Sequence, residues 1–289
     1  GAAVRVALIG FDAGIDAARS LDGVQVGEIS ASLTSSTDYT QIVRLPENIG
    51  IGFEGIKTNG PFEITDALAT KFRSQLGAPG DRDTSEVIKR WVNGQEITHR
   101  SDPMWVIDFG IETPQEVAAQ YTDAFQYAEE VVKPVRQQSN DEKLRVFWWL
   151  FERPRPAMRE ALKDLGRYIA TPRVAKHRLF VWLKGDYVPD GRLNVFARED
   201  DYSFGVLQSK VHMLWALRQG ALHGDGEGGG RPTYNNRTCF ETFPFPWPPG
   251  KEPAGDPRVE AIAAAAKGLV ELRDAWLNPP DLPEKELQK

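Results

Sequence analysis

Residues 168–197, YIATPRVAKHRLFVWLKGDYVPDGRLNVFA, carry three β-like runs: Tyr168 to Thr171, Arg178 to Leu183 and Leu193 to Ala197. Pro172, Gly185 and Pro189-Asp190-Gly191 separate them, residues that bend or end a strand. A helical pattern follows from about Ser203 to Arg218, with Val211, Leu214 and Trp215 on its inner side. Strands in succession, with helices on either side, read as a mixed α+β chain and not as a regular βαβ series. No internal repeat is present.

Working upstream, Thr113-Pro114-Gln115-Glu116 has the form of a capping box with proline at the first helical position. Val117, Tyr121, Phe125, Ala128 and Val132 then fall on one face of a helix that Pro134 is expected to end. Val87 to Ile97 and Met104 to Phe109 read as strands, and Phe62 to Leu76 as a helix stopped by Gly77. Residues 1–30 alternate short apolar runs with Gly and Asp turns, a hairpin-like start. Downstream, Phe243 to Pro249 is a proline-aromatic strap, and Asp256-Pro257 opens a last helix with Val259, Ile262, Ala266, Leu269 and Trp276 on one stripe. Residues 1–250 are expected to form one domain, with any division into two sub-lobes near 135–155, and residues 251–289 a C-terminal helical segment.

The 289 residues are 41% hydrophobic and 26% charged, an ordinary globular mixture. No apolar stretch nears the roughly 20 residues that cross a bilayer, and no basic-then-apolar leader opens the chain, so a soluble cytoplasmic protein is expected. The single cysteine, Cys239, cannot make an internal disulfide, and the four histidines lack metal-ligand spacing. The net charge of -6 speaks against nucleic acid. Its distribution does not: Arg153, Arg155, Arg159, Lys163, Arg167, Arg173, Lys176 and Arg178 face only Glu160 and Asp164, a local balance of about +6.

Several motifs imitate catalytic ones and fail in context. Gly50-Ile51-Gly52-Phe53-Glu54-Gly55 fits G-x-G-x-x-G but neither follows a strand nor opens a helix. Asp108-Phe109-Gly110 fits the kinase metal-binding triplet, yet His99-Arg100-Ser101-Asp102 is no kinase catalytic loop. Asn278-Pro279-Pro280 continues with Asp281 where an amino methyltransferase would have an aromatic residue to stack on a flipped base. Pro189-Asp190 with Glu199-Asp200 lacks the lysine of a nuclease core, and Gly224 to Arg231 lacks the ending of a phosphate loop. No catalytic, cofactor or metal residue is assigned.

The basic segment and the glycine-rich loop fit a solvated face and a solvated loop, and they also fit a binding role. Arg173, Lys176, His177 and Arg178 crowd one turn, while Ser209 and Lys210 sit at a helix start, where hydroxyls, cations and backbone N–H groups favour phosphate. Glu227 and Arg231, in the glycine-rich loop, are side chains suited to the edges of cytosine and guanine.

Four stretches, in order, resemble the target-recognition region of MmeI-like (type IIL) restriction-modification enzymes and related large adenine methyltransferases. They are Trp105 to Gly110, Arg167 to Arg178, Asp200 to Gly205 and Cys239 to Pro246, and the likeness extends over Asn48 to Leu76 and the helix ending at Asn278. The resemblance implies sequence-specific recognition of double-stranded DNA. The parent enzyme would add an S-adenosylmethionine-dependent adenine-N6 methyltransferase domain, the partner of this region in the same chain, and a Mg-dependent nuclease. It carries a base-reading loop onto Glu227 to Arg237, hence Glu227, Arg231, Asn235, Asn236 and Arg237, although Gly228-Gly229-Gly230 stands where family members have paired charges. The fragment itself would neither methylate nor cut. The alternative is a docking module of a phage-defence complex without DNA affinity, built on the strap and last helix.

Overall fold

The computed structural model describes residues 8–11, 13–14, 18–30, 33–35, 42–74, 82–99, 101–224 and 230–280. The described strands are β1 (Arg19–Leu21), β2 (Val24–Val26), β3 (Gly52–Glu54), β4 (Glu63–Thr65), β5 (Ile88–Val92), β6 (Met104–Ile107), β7 (Arg167–Pro172), β8 (Val181–Lys184), β9 (Val188–Pro189), β10 (Leu193–Phe196), β11 (Leu222–His223) and β12 (Arg231–Pro232). The helices are α1 (Asp66–Ser74), α2 (Gly94–Thr98), α3 (Gln115–Ala118), α4 (Thr122–Tyr127), α5 (Lys133–Gln137), α6 (Glu142–Val146), α7 (Pro156–Leu162), α8 (Asp201–Gln208), α9 (Lys210–Gln219) and α10 (Pro257–Leu277). The fold is α+β. Among the described residues no helix is long and apolar enough to cross a membrane.

Two four-stranded sheets organise the molecule. One has the order β3-β10-β7-β8 and is antiparallel throughout, with Val195 opposite Phe53 on one side and Ala170 on the other. The second has the order β4-β6-β5-β9, its last pair parallel. They meet where Gly55 N–H donates to the Leu193 carbonyl (3.0 Å) and Ile56 N–H to the Pro189 carbonyl (2.8 Å). The crossing requires glycine at 55, because a Cβ there would lie 2.1 Å from the Asp190 carbonyl oxygen.

Period-two alternation assigns the faces of the first sheet. Tyr168, Ala170, Leu193 and Val195 join a core with Trp91, Val106, Met158 and Leu162. Ile169 and Phe196 point the other way, into a core with Phe180, Phe204, Leu207, Tyr234 and Phe240. Both faces of β7 and β10 are therefore covered, which is why these strands read as continuous apolar runs. The strap folds its aromatic rings inward: Phe243 and Phe245 meet at 5.0 Å and Trp247 lies 6.0 Å from Tyr202.

Five local expectations need correction. The segment read as a helix from Phe62 begins as strand β4, because Phe62 and Ile64, two apart, alternate into the core before α1 starts at Asp66. The segment read as a strand to Ile97 leaves β5 at Val92, where the Asn93 side chain accepts from the N–H groups of Gln95 and Glu96 and starts α2. Pro134 does not end its helix: Lys133 N–H bonds to the Ala128 carbonyl in a wide i to i+5 turn, and the chain runs on through α5. Thr113 is not a cap, since its hydroxyl donates to the Phe109 carbonyl. The helix expected from Ser203 to Arg218 is two helices broken at Ser209, whose extended backbone ends α8 and whose hydroxyl caps α9 through His212 N–H. That break turns the helix surface: His212 and Ala216 are buried, while Val211 and Leu214 are 70% and 52% exposed.

Candidate nucleic-acid interface

The turn 173–178 leaves β7 and is stitched to the segment around β12. Val174 bridges Thr233, Ala175 N–H donates to the Pro232 carbonyl (3.3 Å), and Tyr234 N–H donates to the Arg173 carbonyl (2.7 Å). Two segments 54 or more residues apart thus form one surface. Between them lies a cleft of about 1070 Å³. Its wall on one side is α2 with His99; on the other it is the end of α10, with Arg273 and Trp276. The charged side chains lining it are Arg173, Lys176, Arg192, Arg231 and Arg273, accompanied by His99, His177 and His223; among the described residues no Asp or Glu lines it.

The cations are held differently. Lys176, His177 and Arg231 are exposed. Arg173 leans back on Glu54 (3.4 Å), which also pairs with Arg155 (2.6 Å). Arg192 pairs with Asp190 at 2.6 Å, and that hydrogen bond raises its pKa above the usual arginine value while its side chain stays 69% exposed. Arg273 Nη1 donates to the Phe180 carbonyl at 2.9 Å, fixing the end of α10 to the cleft.

Arg178 has a different placement from its neighbours. Its guanidinium is largely buried, donates to Thr171 Oγ1 and to the carbonyls of Pro172 and Pro232, and lies 5.2 Å from the Tyr234 ring. Burial lowers its pKa. Behind it, Tyr234 Oη and His212 Nε2 are 2.8 Å apart. Burial raises the Tyr234 pKa well above its ordinary value and lowers that of His212 to about 3, so the imidazole is neutral. Burial also raises the pKa of Cys239, whose Sγ approaches the Ala216 carbonyl at 3.6 Å.

Of the other residues singled out in sequence, Asn235 lines the cleft and its Oδ1 accepts from Arg237 N–H. Asn236 is buried against Gly52, and Arg237 is exposed outside the cleft lining. Ser209 lines a separate apolar groove between α8, α9, the strap and α10, and Lys210 follows it, exposed. Glu227 lies outside the described residues. Sequence reasoning missed His99, Arg192, His223, Arg273 and Trp276, which come from four distant segments and share no local pattern.

The catalytic look-alikes are structural. Asp108 is buried, pairs with Arg159 (2.8 Å) and accepts from Gly110 N–H (3.0 Å). Asp200 caps α8 through Ser203 N–H, and Glu199 accepts from Gly166 N–H. Among the described residues no group of three or more His, Cys, Asp or Glu could hold a metal ion.

No family model matches the chain, and no curated protein matches it by sequence. Among solved structures it is similar to the Type IIL restriction-modification enzyme MmeI in complex with DNA, at 17% identity and a TM-score of 0.61. The match covers 90% of this chain and 32% of that one, so the chain spans about a third of the enzyme's length. The likeness is one of fold.

Proposed function

We propose that this chain recognises double-stranded DNA in a sequence-specific way, as the target-recognition part of a restriction-modification adenine-N6 methyltransferase active in phage defence. The observation that carries the reading is the cleft: five cationic side chains and three histidines converge on it in a chain of net charge -6, and the described lining contains no carboxylate. Such a local field attracts phosphate whatever the total charge. The similar structure was solved with DNA, which supports the same direction.

The roles divide by exposure. Lys176, His177, Arg192 and Arg231 would meet phosphates or base edges, with Arg173 and Asn235 beside them. Arg178 would act by holding the turn in place. Glu227 and Arg237 belong to the proposed reading loop, with Asn236 as its buried base, and Ser209 and Lys210 to a phosphate contact at the start of α9. In the parent enzyme, S-adenosylmethionine-dependent methylation and Mg-dependent cleavage would be the work of other regions, the methyltransferase domain being the partner. Calorimetry with S-adenosylmethionine tests that division, and binding by this chain alone would refute it.

The central experiment is fluorescence anisotropy on a randomised duplex pool, followed by sequencing of the bound fraction. Enriched sequences and affinity falling steeply with salt are expected. No binding at low salt sinks the proposal.

A further inference from the structure

Helix α10 begins far from the cleft, packed on α8, and ends at its rim. Its first half is held by apolar contacts: Val259, Ile262 and Ala263 pack beneath the strap, and Ala266 is buried in the second core. Beyond that point only Val270 still packs on the second core, and a row of apolar side chains turns to solvent. Leu269, Leu272 and Trp276 are 46%, 73% and 81% exposed, and Trp276 with Leu277 enters the lining of the basic cleft. All eight tryptophans are described, and Trp276 is the exposed one; the other seven are buried or half-buried.

Leu269, Leu272 and Trp276 follow one another three and four residues apart, so they form one exposed apolar stripe, and contiguous apolar surface of that kind marks a binding site. The cations that line the same cleft, Arg273, Arg173, Lys176 and Arg231, suit a polyanion, while the indole suits the flat apolar ring of a base. Fixed phosphate contacts combined with an apolar ring at the rim is the pattern by which proteins press a wedge against a base step. The wedge must be rigidly held to act, and the Arg273 bond to the Phe180 carbonyl, one helical turn before Trp276, holds this end of α10.

We infer that Trp276 is the apolar contact between this chain and the bases of bound DNA, making the end of α10 part of the reading surface. The inference rests on the proposed DNA-binding role of the cleft and adds a contact that loops 173–178 and 227–237 do not supply.

The test uses the full chain with a duplex selected from the random pool, comparing wild type, Trp276→Phe and Trp276→Ala across a salt series. Trp276→Ala is expected to weaken binding about tenfold, Trp276→Phe to keep most of the affinity, and the slope of log affinity against log salt to stay unchanged, since no phosphate contact is lost. DNA should also shield wild-type tryptophan fluorescence from acrylamide, and that protection should vanish in Trp276→Phe. An alanine variant binding within about twofold of wild type, far short of a lost stacking contact, overturns the inference and leaves the cleft intact as a phosphate site. Wild-type protein that binds no duplex at low salt overturns both. An exposed side chain has no core role, so equal melting temperatures are expected for all three proteins.

Discussion

The guanidinium of Arg178 lies 5.2 Å from the Tyr234 ring and donates to the carbonyls of Pro172 and Pro232, so one side chain fastens the turn after β7 to strand β12. The turn runs off the end of β7, and β12 pairs only with the two-residue strand β11, so the link between them matters to both. The relative position of Lys176 and Arg231 is set by this side chain, which does not line the cleft, together with the backbone contacts Val174–Thr233, Ala175–Pro232 and Tyr234–Arg173.

Replacing Arg178 with alanine removes its hydrogen bonds to Thr171 Oγ1 and to the Pro172 and Pro232 carbonyls, a loss of about 2–4 kcal/mol. Lysine should not rescue it, since a single ammonium cannot reproduce a planar fork aimed at three acceptors. Urea denaturation measures the loss. A variant as stable as wild type would show that the turn and β12 are held by other means.

Lys176 and Arg231 test the cleft directly, because both are exposed and removing them should cost little stability. Lys176→Gln and Arg231→Gln are each expected to weaken DNA binding and to lower the slope of log affinity against log salt by about 1, the signature of one lost phosphate contact. If one of them leaves the salt slope unchanged but alters which duplexes are enriched, that side chain reads a base edge instead.

Much of the fold is legible in the sequence where one physical signal dominates. The succession β7, β8, β10 stands out because both faces of β7 and β10 are buried, β8 is half-buried at the edge, and the turn residues Pro172, Gly185 and Gly191 punctuate it. The break at Ser209 is hidden, because a serine inside an amphipathic run fits a continuing helix as well as a cap, and only the core decides that His212 and Ala216 face inward. Glu63–Thr65 is misread for a related reason: Phe62 and Ile64 satisfy a strand, while Ile64, Leu68 and Phe72 satisfy a helix. The candidate site divides in the same way. The turn 173–178 and the region of Arg231 announce themselves by local charge and turn residues. Arg192, His223, Arg273 and Trp276 gain meaning only when tertiary structure gathers them.

His212 sets a pH dependence of stability. Its pKa is about 3 in the folded chain against 6.5 for an ordinary histidine, with burial as the main cause and Arg178 adding to it. Above pH 6.5 neither state binds the proton and the group has no effect. Below it the unfolded chain binds a proton that the folded chain refuses, so stability falls with pH down to about 3. From pH 7 to pH 5 the loss from this group is about 2 kcal/mol. Urea titrations at both pH values, on wild type and on His212→Gln, separate it from the carboxylates. The variant should lose less stability over the same interval; an identical loss would mean that His212 protonates in place.

Gly205 tests whether α8 and α10 touch as closely as described. Within a helix, glycine to alanine ordinarily stabilises by up to about 1 kcal/mol by restricting the unfolded chain. At Gly205 the added Cβ would meet Ile262 Cγ2 at 2.8 Å, the Ile262 carbonyl oxygen at 3.0 Å and Ala266 Cβ at 3.1 Å. The isoleucine methyl can rotate away; the backbone oxygen moves only if α10 moves with it. The clash should therefore outweigh the propensity gain, with Gly205→Ala destabilising by about 1–3 kcal/mol. Gly268→Ala is the internal control, since it lies in α10 with no atom beyond its own helix backbone within 4 Å of the new Cβ and should stabilise. Because α10 delivers Arg273 and Trp276 to the cleft, Gly205→Ala should also weaken DNA binding where Gly268→Ala does not. Equal and favourable shifts in urea midpoint for the two variants would show that the helices are not in contact at this point, and the placement of Trp276 at the cleft would lose its support.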